Sequence, residues 1–115
     1  MPFLLEDCRT YQKALVFADR VTSVTELFPR GKHYLADQLN RAALSISTNI
    51  AEGNGRHTQK DRRNFFVIAR GSVQECLPIL EVAKRTGLLE ARVHADMTRQ
   101  LEIIAKMLSG LLRKK

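Results

Sequence analysis

The chain has no tryptophan, only two cysteines and three prolines, and aromatic residues make up just 6% of its 115 positions. Long apolar runs are also missing. Phe65 to Ala69 is as long as any, far below the ~18 residues that a membrane-spanning helix needs. The opening Met1-Pro2-Phe3-Leu4-Leu5 has no basic flank, extended apolar region or small-residue cleavage site, so no secretory signal is expected and a cytoplasmic location is. Cys8 and Cys76 lie far apart and fit no metal-binding or redox spacing. Both read as small, reduced core residues, with a structural disulfide as the other reading. Acids are scarce as well: 12 against 19 lysines and arginines, a formal charge of +7. That balance favours polyanionic partners through steering and counterion release, or it merely keeps a small domain dissolved.

No apolar–polar alternation marks a strand, whereas steps of three and four recur throughout. Asp7 suits the N-cap of a first helix over about Cys8 to Phe28, with an inner stripe of Tyr11, Ala14/Leu15, Ala18, Val21, Val24/Thr25 and Phe28. Pro29 and Gly31 stop it. A second helix from His33–Leu35 carries Leu35, Leu39, Ala42, Ile46 and Ile50, with Gly53 expected as a left-handed C-terminal residue. The segment from Gly53 to His57 reads as a loop. Thr58, with Asp61 three residues on, opens a third helix that Gly87 ends. Its expected inner line is Phe65, Ala69, Ser72, Cys76, Ile79/Leu80 and Ala83, and Pro78 should bend it. A fourth helix from about Glu90 carries Val93, Met97, Leu101, Ile104, Met107/Leu108 and Leu111. Four such helices with short connections predict one all-α domain over residues 1–115, an antiparallel up-and-down bundle.

The third helix has more apolar residues than one stripe uses: Phe65 to Ala69, then Leu77, Ile79, Leu80, Val82 and Ala83. With Phe3, Leu4, Leu5, Leu88 and Leu89, this surplus points to self-association, unless the third helix is simply central. Asn49 and Ser72 fall on inner lines, with Glu52 and Glu75 three residues further along. These four read as a buried structural polar cluster fixing helix register. As a carboxylate pair for metal or acid–base chemistry they lack the Glu-x-x-His spacing of di-metal bundles. The three histidines are dispersed, and the glycine–lysine spacing of a phosphate-cradling loop is absent. No enzyme, metal or cofactor is therefore expected.

The basic residues concentrate. Arg56, His57, Lys60, Arg62 and Arg63 surround the start of the third helix, where the dipole favours anions, and Arg70 follows two turns on. Arg113, Lys114 and Lys115 form a second group. The expectation is RNA or DNA phosphate binding, with a solvated face balanced by Asp61 as the plainer reading. With no aromatic residue interleaved among the arginines, such binding should be backbone-driven and salt-sensitive.

The segment from Arg41 to Arg56, RAALSISTNIAEGNGR, is the most distinctive in the chain, and Phe65, Ile68-Ala69-Arg70-Gly71-Ser72 and Glu75 follow it. With the opening Tyr11-Gln12-Lys13-Ala14, these resemble the four-helix-bundle family encoded in intervening sequences of large-subunit ribosomal RNA genes. Ser47 stands where many members have proline, and Cys76 and Pro78 replace more ordinary helix residues. The turn from Pro29 to Tyr34 is slightly short. The resemblance implies a ring-like homopentamer. A distant relative, the accessory protein of diversity-generating retroelements, partners a reverse transcriptase and nucleic acid, so a nucleic-acid enzyme joins RNA, DNA and the chain itself among expected partners. An acidic protein is the alternative partner, with the chain acting as a scaffold.

Overall fold

Four helices account for nearly all of the computed structural model, which describes residues 8–113, and no strand occurs among them. They are α1 (Arg9–Thr25), α2 (His33–Asn54), α3 (Gln59–Arg85) and α4 (Ala91–Arg113), with a 3-10 turn at Arg30–Lys32 before α2. Asp7 and the apolar Phe3, Leu4 and Leu5 lie outside the described residues, as do Lys114 and Lys115. The N-cap of α1 is Cys8, which makes no side-chain capping bond.

Each helix packs on its neighbours in sequence, and α1 closes on α4. Contacts between helix ends fix the antiparallel sense. Asn40, near the start of α2, donates to Thr25 Oγ1 at the end of α1 (2.9 Å). Glu81, near the end of α3, faces His94 in the first turns of α4 (3.4 Å). Arg20, late in α1, pairs with Asp96, early in α4 (3.0 Å). The bundle measures 44 × 24 × 20 Å, its long axis set by the helices themselves at ~1.5 Å per residue.

The core differs from the sequence reading by small rotations. In α1 the fully buried residues are Ala14, Phe17 and Val21, while Tyr11, Leu15, Ala18 and Val24 are half-buried. Phe17, the largest buried side chain of that helix, turns the stripe by about one position. The helix also ends at Thr25, a turn early. Thr25 Oγ1 bonds back to the Val21 carbonyl (2.8 Å), the backbone tightens through Leu27 and Phe28, and Phe28 still reaches the core. In α3, Phe66 rather than Phe65 is buried; Ala69, Ser72, Cys76, Ile79, Leu80 and Ala83 lie inside as expected, joined by Val73. The stripe of α2 is as read. In α4 Leu112 takes the inner place expected of Leu111.

Gly53 does not end α2. The helix continues through Asn54 to a Gly55 cap in the right-handed region, and the only positive φ among the described residues is Gly87's, +81°. The reason for a glycine at 53 is packing: a Cβ there would lie 2.5 Å from Cε1 of Phe66. Gly87 does end α3, with Leu88 N–H bonding back to the Ala83 carbonyl (2.8 Å). Thr58 caps α3 as read, its hydroxyl accepting from Asp61 N–H (3.1 Å). Helix α3 runs unbroken through Pro78, whose ring sits on the exposed side.

No helix among the described residues is long and apolar enough to cross a membrane. Both cysteines are free thiols. Cys76 sits in the core, where burial, helped by the charge of Glu75, pushes its pKa up to about 12 and leaves it unreactive as a thiolate.

Candidate nucleic-acid interface

In an up-and-down bundle, the start of α3 meets the ends of α2 and α4. That places Arg56, His57, Lys60, Arg62, Arg63 and Arg113 at one end of the molecule. Arg63 binds this end together by donating to the Leu112 carbonyl at the close of α4. Arg62 Nε donates to the Arg56 carbonyl (3.1 Å), tying α3 to the connection before it. The carbonyls engaged belong to a helix terminus and a turn, where backbone acceptors lack intrahelical partners.

Arg56 has two attachments: an ion pair with Glu52 one turn back (3.2 Å) and a guanidinium 4.6 Å over the Phe65 ring. The second corrects the sequence reading, in which no aromatic stood among the arginines. The connection between α2 and α3 folds Arg56 back over Phe65, which is half-buried and covered by it. Lys60, Arg63 and Arg113 are exposed, and Arg62 is half-buried. Arg70 lies exposed on α3, two turns beyond Arg63. Lys114 and Lys115 fall outside the described residues. Among those described, Glu52 and Asp61 are the acids found around the start of α3.

Three concavities among the described residues surround that start. One, of about 190 Å³, lies between α3 and the last turns of α4 and is lined by Asn54, Gln59, Arg62, Arg63, Phe66 and Leu111. A second, about 300 Å³, lies on the outer side of α3 against Lys60, Asp61, Arg63, Asn64 and Val67. The third, about 580 Å³, faces the α2–α3 connection and includes Glu52, Arg56, His57 and Asp61.

The polar cluster takes a different form from the one expected. Asn49 and Ser72 do not meet directly. Ser45 joins them, its hydroxyl 2.7 Å from Ser72 Oγ and accepting from Asn49 Nδ2 at 3.1 Å. Asn49 also donates to the Ser45 carbonyl (2.8 Å), so α2 and α3 are tied by three small polar side chains. Glu52 and Glu75 stand outside this cluster, because a step of three residues turns each of them off the inner face. Ser45 was detectable as the residue one turn before Asn49, yet nothing in the sequence marked it above its serine and threonine neighbours. Among the described residues, no group of three or more His, Cys, Asp or Glu could hold a metal ion.

A further surface flanks the α2–α3 seam. Leu44 is 59% exposed and Val67 and Ile68 45% each. Gly71 and Val82 continue the outward side of α3, and a Cβ at Gly71 would touch nothing within 4 Å.

The profile of the 23S rRNA-intervening sequence protein family matches residues 6–110. The chain belongs to this family. Its architecture is shared by the crystal structure of a protein of unknown function from the S23 ribosomal protein family of Bacteroides thetaiotaomicron VPI-5482. The two superpose with a TM-score of 0.84 at 22% identity, covering 91% of this chain and 99% of that one. No curated protein matches. These likenesses agree with the four-helix topology and with the resemblance carried by the segment from Arg41 to Arg56.

Proposed function

We propose that this member of the intervening-sequence family is a non-enzymatic, cytoplasmic, homo-oligomeric bundle whose basic end binds RNA or DNA phosphate backbones. The observation that carries the reading is the gathering of Arg56, Lys60, Arg62, Arg63 and Arg113 at one bundle end, around the N-terminal turn of α3. Guanidiniums suit phosphate oxygens, and the helix dipole adds to their attraction. The side chain of Phe65 is engaged by Arg56, so the end offers charge rather than open stacking platforms. Affinity should then depend steeply on salt and weakly on sequence.

Self-association is supported by Leu44, Val67, Ile68 and the featureless outward side of Gly71, and a pentameric ring follows from the family resemblance. In a ring each basic end repeats around the axis, multiplying weak contacts into avid binding. A nucleic-acid enzyme is the kind of protein such an assembly would accompany. The same exposed apolar residues, together with the charge of the basic end, favour a second reading, a scaffold that docks an acidic protein without touching nucleic acid.

The deciding experiment titrates salt against binding of RNA and DNA, for the parent chain and for one in which Arg56, Lys60 and Arg63 are all replaced by glutamine. The triple variant should bind more weakly, its slope of log K against log salt falling by about one for every phosphate it no longer neutralises. Unchanged affinity and slope would reject the basic end as the working surface. A protein partner captured equally with and without nuclease treatment would favour the scaffold.

A further inference from the structure

The three concavities at the basic end are not equivalent. Asp61 lines two of them, and Glu52 the larger of those; the concavity between α3 and α4 has no carboxylate among its described lining residues. Arg62 and Arg63 both line it. Each is steadied by one bond to a backbone carbonyl, Arg56 for the first and Leu112 for the second, and neither forms an ion pair among the described residues. A guanidinium has five N–H donors, so each keeps several for a ligand. Asn54 lines the same space, and its Nδ2 is shielded from solvent with no hydrogen-bond partner among the described residues. A buried donor left unpaired is costly, and a small rotation of the amide toward the concavity would let an oxyanion satisfy it. Phe66 and Leu111 form an apolar wall that strengthens any charge pairing beside it.

We propose that this concavity seats the terminal phosphate monoester of a nucleic-acid strand. The inference rests on the reading of this end as a nucleic-acid surface and names what one part of it recognises. A monoester carries close to two negative charges near neutral pH, matching two guanidiniums, where an internal diester carries one. A diester must also continue in both directions, whereas a strand end needs a single mouth. Arg63 is shared with the neighbouring concavity, where Lys60 stands beside Asp61 and Asn64, and the adjoining backbone phosphate would meet Lys60 there on the outer side of α3.

The test compares one single-stranded RNA in three forms, with a 5′-phosphate, with a 3′-phosphate and with neither, by fluorescence anisotropy. One phosphorylated end should bind about tenfold more tightly than the unphosphorylated strand, the equivalent of one charge-assisted hydrogen bond. Asn54→Asp, which replaces a donor by a negative acceptor, should erase that preference and leave the unphosphorylated strand bound. Should Asn54→Asp melt before assay, Arg62→Gln should still reduce the preference. Lys60→Gln, outside the concavity, should weaken all three forms and keep the preference. Equal binding of the three forms by the parent chain would overturn the strand-end assignment while leaving the basic end intact. If inorganic phosphate then still raised the melting temperature, the seat would belong to a free anion. No binding of any form at low salt would overturn the nucleic-acid reading itself.

Discussion

Gly53 and Gly71 show how one residue type serves opposite purposes. At Gly53 the missing side chain admits the Phe66 ring, and a Cβ would stand 2.5 Å from it. Gly53→Ala should therefore lower stability by about 1–3 kcal/mol despite its better helix propensity. Chemical denaturation would measure this, and Phe66→Leu in the same chain should recover part of the deficit, since the two sites are coupled. At Gly71 nothing inside the subunit requires glycine, because a Cβ would meet open space. Gly71→Ala should raise the stability of the isolated subunit by about 1 kcal/mol. If copies pack on that face, the same change should weaken self-association in sedimentation velocity; unaltered assembly would remove Gly71 from the interface. Sequence alone marked Gly53 as a helix end because glycine often occurs there. Its real partner, Phe66, is 13 positions away and comes close only once α2 and α3 pack.

Among the elements, the α3–α4 turn carries the clearest electrostatic arrangement. Glu81 accepts a bond from Arg85 (2.9 Å) and lies near Lys84 and His94. The Arg85 bond chiefly, aided by the charges of Lys84, Arg85 and His94, holds its carboxyl below the usual glutamate range. A carboxyl lowered in the folded state contributes stability above its unfolded value, and that contribution disappears as pH falls through the folded value. Thermal midpoints of the parent and Glu81→Gln should accordingly differ at neutral pH and converge as the solution is acidified below the ordinary glutamate range. A gap that persists into strong acid would show that the substitution acts by some other route. Helix identity, order and most boundaries could be read from periodicity, from Thr58 as a cap and from Gly87 as a stop. Which of two nearby apolar residues faces inward could not. Phe17 against Ala18, Phe65 against Phe66 and Leu111 against Leu112 each turn on a rotation of a helix by a fraction of a turn. Neighbouring helices choose it, and periodicity does not.

Across the whole molecule, the basic cluster around α3 could be read from sequence because Arg56, His57, Lys60, Arg62 and Arg63 fall within eight positions. The concavity between α3 and α4 could not, since it needs Asn54, read as part of a loop, and Leu111, read as core, brought to the same place. The joining of Asn49 to Ser72 through Ser45 escaped notice for the same reason: local spacing reports which residues share a face, not which cross a seam. The even number of antiparallel helices has a practical corollary. Helix α1 begins and α4 finishes at the basic end, beside the candidate site. The turn at Gly87 lies at the far end of a 44 Å body. A label inserted there would leave the arginines unobstructed, and it is the position from which binding could be watched without being hindered.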